Sequence, residues 1–352
     1  MIKEKVKSVM NNLKWNYYNR RFSHIYVEQN IIDHPRTIQL LHYFSEAQII
    51  VIKHFKDVFC RKGQNYLSQH KAQSLIIASK QGKLVYSGAK VCQNFGNEHF
   101  YYTSCVMNCL YDCEYCYLKG MYPSGNMVLF INIEDILNEV KQILQRHPAY
   151  ICVSYDTDLI AIEGLTGFVK IWTEFVKMHK NLKIEIRTKC SSGTIVEDME
   201  VVDGVIYAVT ISPQYIIDQY EHGTSSMFDR IHWAKNMMDK GHLVRLCFDP
   251  MIYCKDWKIY YQDMLDTISQ SIDMKKLMDV SVGSFRISVD YLKNMRNNDP
   301  YSSITQYPYE NDEGVYHYKK EIMYEMEQFL VTRLADLIGA NRVFMWESSK
   351  TD

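Results

Sequence analysis

Short apolar runs and helical spacing alternate from residue 23 to about residue 90. SHIYVEQ and AQIIVIKHF have the pattern of strands; between them PRTIQLLHYF opens on proline and carries its apolar residues at helical spacing. SLIIASKQGKLVYSGAK predicts two short strands joined as a hairpin through a glycine-containing turn. Together these segments predict a smaller N-terminal α/β unit over residues 1–95.

From Phe100 onward strand and helix patterns repeat. HFYYTSC, MVLFIN, YICVSYDTD, LKIEIRTKC, VVDGVIYAVTIS, HLVRLCFDPMIY and LMDVSVGSFRIS are strand-like, while IEDILNEVKQILQRH, GLTGFVKIWTEFVKMH, RIHWAKNMMDKG and DWKIYYQDMLDTISQSI supply the helices. Such repetition predicts a parallel sheet with outer helices, an open or closed barrel, over residues 96–352. Near its end, ITQYPYENDEGVYHYKK alternates tyrosine with polar groups around ENDEG, as a β-hairpin does.

Composition changes this picture little. With 352 residues, 47% of them hydrophobic, the chain can bury a large core. Its 40 Lys and Arg balance 41 Asp and Glu, so no overall field announces a polyanionic partner, although a local basic cleft remains compatible with that total. The N-terminus MIKEKVKSVMNNLKWNYYNRRF has no apolar run of signal-peptide length, and no stretch of membrane-spanning length occurs. The expectation is a soluble cytoplasmic protein whose thiols are free or ligated.

Candidate chemistry concentrates in CVMNCLYDCEYCYLKG, which starts at Cys105 and holds four of the chain's ten cysteines. Cys109, Cys113 and Cys116 have the spacing C-x₃-C-x₂-C directly after a strand. Three thiolates suit three irons of a four-iron, four-sulfur cluster and leave the fourth iron open. Zinc is the rival: Cys105 lies four residues before Cys109 and is available as a fourth ligand, but a zinc ribbon would place a second ligand pair further on, and none lies nearby.

The motif resembles the cluster loop of radical S-adenosylmethionine enzymes, with Tyr115 in the aromatic position before the third cysteine. DCEYCYL, TDLIAIE, YEHGTSS and FDPMIY together resemble the spore photoproduct lyase family of DNA repair enzymes. The resemblance implies a partial (β/α)6-type barrel with a smaller N-terminal α/β unit and a C-terminal hairpin. It also implies a [4Fe-4S] cluster on Cys109, Cys113 and Cys116, S-adenosylmethionine, and a 5′-deoxyadenosyl radical that opens the 5-thyminyl-5,6-dihydrothymine lesion. UV-damaged DNA is the implied partner, with flavodoxin or ferredoxin as electron donor. Another substrate for the same radical chemistry, or a zinc-stabilised nucleic-acid-binding protein, is the competing reading.

The family returns a hydrogen atom to the thymine methyl radical from a thiol, commonly in a segment resembling ACTSD. Here SYDTD puts Tyr155 at that place. Cys152 is an odd number of residues away, which on a continuous strand points it to the other face. Cys92, in AKVCQNFGNEHF, follows the predicted hairpin and is the expected donor. Tyr117, by resemblance the active-site aromatic, and Tyr115 are expected as relays or as shields of the cluster. At the strand ends, Asp156, Thr157, Asp158, Lys189, Thr210 and Ser212 are expected to hold the cofactor, Lys189 through the methionine carboxylate. Arg286, Tyr307, Tyr309, Tyr316 and Lys319 are the expected DNA contacts.

Overall fold

Six strands that follow one another along the chain form the parallel sheet on which the site is built: Phe100–Thr103, Ala149–Cys152, Leu182–Thr188, Val205–Thr210, Leu243–Met251 and Asp279–Ser284. A computed structural model describes residues 22–89, 92–192 and 194–345. The basic segment from which the absence of a leader was read lies almost wholly outside them. Val343–Met345 extends the sheet in parallel at one edge, and Val85–Ser87 pairs antiparallel at the other. The edges do not meet, so the barrel is partial, as the resemblance implies. Val205–Thr210 is buried at every position, the mark of a parallel strand covered on both faces. Outside, the helix Phe168–Met178 buries Phe168, Val169, Trp172, Phe175 and Val176, one apolar stripe.

A second sheet runs in the order Gln48–Ile52, His24–Glu28, Leu75–Ala78, Met127–Phe130, Val106–Met107. Two expectations fail here. SLIIASKQGKLVYSGAK is not a hairpin: Leu75–Ala78 pairs in parallel with His24–Glu28 and Met127–Phe130, while Val85–Ser87 joins the barrel. All four residues of Leu75–Ala78 are buried, and a strand covered on both faces fits the middle of a sheet; Val85–Ser87 ends exposed and suits an edge. MVLFIN likewise leaves the barrel for this second sheet. The sheet therefore crosses residue 95, and the N-terminal unit is completed by a strand from beyond it.

The C-terminal hairpin is present. Glu310–Asp312 and Val315–His317 pair antiparallel, and Arg286–Ser288 adds a third strand. Glu313 and Gly314 have φ of +48° and +85°, the mirror-image turn that fits two-residue hairpins. Among the described residues, no helix is long and apolar enough to cross a membrane.

Candidate active site

The three-cysteine loop is held from several sides before any ligand is considered. Asn108, at φ +67°, turns the chain just ahead of Cys109. Its buried amide donates to Ser124 O and Asn126 O, both at 2.7 Å, and accepts from Tyr66 Oη at 3.1 Å. Gln73 Nε2 donates to Cys109 O at 3.0 Å. Asp112–Cys113 pairs with Glu221–His222, and Glu114 N donates to Tyr220 O at 2.9 Å, so YEHGTSS is the strand that clips the loop. The exit helix Leu118–Met121 presses on Val289–Asn298; a Cβ at Gly120 would lie 2.2 Å from Tyr291 O, which leaves room only for glycine.

Cys109, Cys113 and Cys116 line one cavity of about 360 Å³. Burial pushes the Cys113 thiol up to about 12 and raises Cys109 and Cys116 as well, so these sulfurs become thiolates only against a bound cation. Cys105 is buried in the hydrophobic core rather than on the cavity wall, which removes the fourth ligand of the zinc reading. Among the described residues no three His, Cys, Asp or Glu side chains converge on a single-ion site.

Behind the loop lies a buried charge cluster. Glu221 pairs with Arg230 at 2.5 Å, both without solvent exposure, and accepts hydrogen bonds from Tyr115 Oη and Ser212 Oγ. Burial opposes ionisation, but Arg230 and Lys189 hold the Glu221 carboxyl at about 2. Lys189 Nζ lies 5.1 Å from the centre of the Tyr115 ring, at the cavity wall. It makes no ion pair among the described residues. Ser212 thus supports Glu221 from behind the wall, whereas Thr210 lines the cavity.

The turn after the second barrel strand divides its polar groups. Asp156 accepts from Ser104 Oγ and, at 2.8 Å, from Tyr122 Oη. Asp158 accepts from Thr188 Oγ1 at 2.9 Å and Lys189 N at 2.7 Å, tying this turn to the third strand. Asp156 is tied to side-chain hydroxyls away from the cavity, whereas Asp158 also lines it. Between them Thr157 lines the cavity with its hydroxyl buried and unbonded.

Cys92 and Tyr155 also line the cavity and meet each other, Sγ to Oη 3.7 Å. Tyr117 Oη donates to Tyr155 O at 2.5 Å. Cys152 lines the same cavity, contrary to the alternation argument. Its strand ends at Cys152, and Tyr155 lies in the turn beyond, where alternation no longer holds.

The family model described as spore photoproduct lyase matches residues 21–337. The chain belongs to the spore photoproduct lyase family. Among curated relatives, spore photoproduct lyase of Clostridium acetobutylicum is 23% identical over 246 residues, 65% of this chain and 71% of that protein. That of Bacillus subtilis is 21% identical over 264 residues, 73% and 75% of the two chains. A solved double mutant of spore photoproduct lyase with bound AdoMet and dinucleoside spore photoproduct superposes with TM-score 0.78 at 18% identity, over 94% of this chain and all of that one. Another, complexed with dinucleoside spore photoproduct, gives 0.77 at 16% identity, over 93% and 98%.

For this family member the expected DNA contacts divide. Arg286 lines the cavity, 3.2 Å from Asp249. Tyr316 is half-buried with the Arg296 guanidinium 5.5 Å from its ring centre, and Lys319 is exposed. Tyr307 is half-buried and leans on Tyr309, ring centres 4.9 Å apart. Tyr309 is a correction: it is buried among Phe285, Tyr307 and Tyr318 and presents no face to a base. Sequence reasoning also passed over Glu221, Arg230 and Asn108. Glu221 sat inside the quoted YEHGTSS, a polar segment that gave no sign of its burial.

Proposed function

We propose that this chain reverses the spore photoproduct to two thymines by radical S-adenosylmethionine chemistry. The observation that carries the reading is that one cavity is lined both by the three thiols of the cysteine loop and by a separate thiol, Cys92. The residues fit the groups implied. Cys109, Cys113 and Cys116 would hold the cluster; Lys189 would meet the methionine carboxylate, and the unbonded hydroxyl of Thr157 would reach a polar group of the cofactor. When bound, cluster and cofactor together supply a 5′-deoxyadenosyl radical. The protein's own part is to position the lesion, exclude water and return a hydrogen atom. Ser288, whose buried hydroxyl is unbonded, and Arg286 both line the cavity and would face the lesion. All ten cysteines are unpaired, which agrees with a reducing cytoplasm and an electron donor of the flavodoxin or ferredoxin class.

The test is anaerobic incubation of the reduced, cluster-loaded protein with S-adenosylmethionine and dinucleoside spore photoproduct. Release of thymidylyl-thymidine is expected; cofactor cleavage with the lesion left intact would favour another substrate. Lys189→Met is expected to weaken S-adenosylmethionine binding about 10- to 100-fold, the worth of one charge-assisted contact, with iron content unchanged. Equilibrium dialysis reads this directly.

Cys92→Ala should still consume the lesion but return the hydrogen poorly. Burial keeps the Cys92 thiol protonated, so it carries a hydrogen atom to give. Without it the methyl radical lives long enough to be trapped by dithionite-derived radicals, and mass spectrometry should show less repaired dinucleotide and new heavier adducts. Cys152→Ala should repair nearly normally. Equal repair and no adduct in Cys92→Ala would move the donor elsewhere.

A further inference from the structure

The inner face of the barrel continues past the cavity. One row of side chains crosses it in register: Glu185 pairs with Cys152, Cys152 with Tyr102, and Tyr102 with Tyr86 on the edge strand Val85–Ser87. Residues paired across strands point to the same face, so these four share one wall. Glu185 and Cys152 line the cavity, as does Phe100, two residues before Tyr102. Tyr102 and Tyr86 carry the row beyond it to the barrel's open edge. Their neighbours Val85 and Thr103 point the other way and are buried.

The rings on this strip are stacked and partly exposed. Tyr102 lies 4.3 Å from the ring centre of the cavity residue Tyr155 with planes 27° apart, and Tyr86 lies 5.3 Å from Tyr102 at 22°. Two ammonium groups attend the outermost ring: Lys80 Nζ is 5.4 Å and Lys83 Nζ 5.7 Å from the centre of Tyr86. Lys80 is fixed by donating to Ser104 O at 3.0 Å, whereas Lys83 is exposed. Glu139, whose charge reaches Lys80 and Tyr86, is engaged by Leu84 N at 3.0 Å and Val85 N at 3.1 Å. Stacked aromatic faces beside cations are what a strand of DNA meets with its bases and its phosphates.

We propose that Tyr102 and Tyr86 form a stacking platform for a nucleotide flanking the lesion on the damaged strand, with Lys83 and Lys80 meeting its phosphate. This deepens the repair reading and rests on it. A lesion in the cavity belongs to a strand that must leave the cavity, and the tyrosine row leads from the cavity wall to the open edge. Every base has a face to stack, so the platform holds the strand without demanding a particular flanking sequence. None of these residues belongs to the C-terminal segments from which DNA contacts were expected.

The test gives the cluster-loaded enzyme two substrates: dinucleoside spore photoproduct, which has no flanking nucleotide, and a single-stranded oligonucleotide with the lesion at its centre. Tyr86→Ala is expected to bind the oligonucleotide about 5- to 150-fold more weakly, the worth of one base on one ring, and to repair the dinucleoside at the wild-type rate. Tyr86→Phe keeps the ring and should bind as wild type does. Lys83→Ala should flatten the salt dependence of oligonucleotide affinity by about 0.7 in the log–log slope, the share of one phosphate. 2-Aminopurine set beside the lesion, on each side in turn, should lose fluorescence on wild type at one of the two positions and keep it on Tyr86→Ala. Unchanged oligonucleotide affinity in Tyr86→Ala, or an equal fall in its dinucleoside repair, overturns the platform and leaves the repair reading standing. Failure of wild type to repair either substrate overturns that reading and the platform with it.

Discussion

Cys113→Ala is expected to give a folded protein that retains no stable cluster and cleaves no S-adenosylmethionine. The backbone of Asp112–Cys113 pairs with Glu221–His222 whatever the side chain at 113, so the clip on the loop survives. What disappears is one of three sulfurs on the cavity wall, and a second iron is left without a protein ligand. Iron analysis, visible absorption and an assay for 5′-deoxyadenosine read the result. Cys105→Ala serves as the control, since its sulfur is enclosed in the core and should leave iron content untouched. Wild-type iron in Cys113→Ala together with its loss in Cys105→Ala would mean that the ligand triad is misassigned.

Glu221→Gln is expected to destabilise the fold by about 3–5 kcal/mol at neutral pH, because it leaves the Arg230 guanidinium buried without its counter-charge. The effect should depend on pH with a definite sign. Glu221 is held at about 2 against an ordinary value of 4.5, so its contribution is complete above pH 4.5 and is lost as the pH falls towards 2. The gap between wild type and variant, measured by urea unfolding, should therefore narrow as the pH is lowered through that window. A gap that stays constant with pH would show that the buried pair does not act through its charge. Cluster content should suffer too, since Tyr115 of the cysteine loop donates to the Glu221 carboxylate.

The sequence revealed most where the chemistry is local. The cysteine spacing lies within eight residues, and the barrel strands announce themselves as apolar runs between amphipathic helices. What escaped depends on contacts between distant parts of the chain. Leu75–Ala78 and Val85–Ser87 look alike as short apolar runs; which sheet takes each is decided by burial on both faces or on one. Tyr307 and Tyr309 alternate with polar residues in the same way, and only the packing of Phe285 and Tyr318 shows that Tyr309 points inward. Cys92 and Tyr155 are 63 residues apart, and the sequence gives Tyr155 only as the residue standing where the family has its thiol, whereas the fold makes the two neighbours. Glu221 looks like a surface carboxylate until Arg230, nine residues on, is seen enclosed with it.

The pairing of Leu75–Ala78 with Met127–Phe130 bears on how the chain is made. The cysteine loop lies between these two strands in sequence, and the second sheet is incomplete until the later one arrives. During synthesis the early strands must therefore wait on the ribosome with an apolar edge uncovered until residue 130 has left the exit tunnel, an interval in which a chaperone would find its binding site. Before that point Cys109, Cys113 and Cys116 lie on a loop without walls. The strand pairing thus makes both the second sheet and the clip on the cysteine loop, which needs Glu221–His222, depend on chain made after the loop itself.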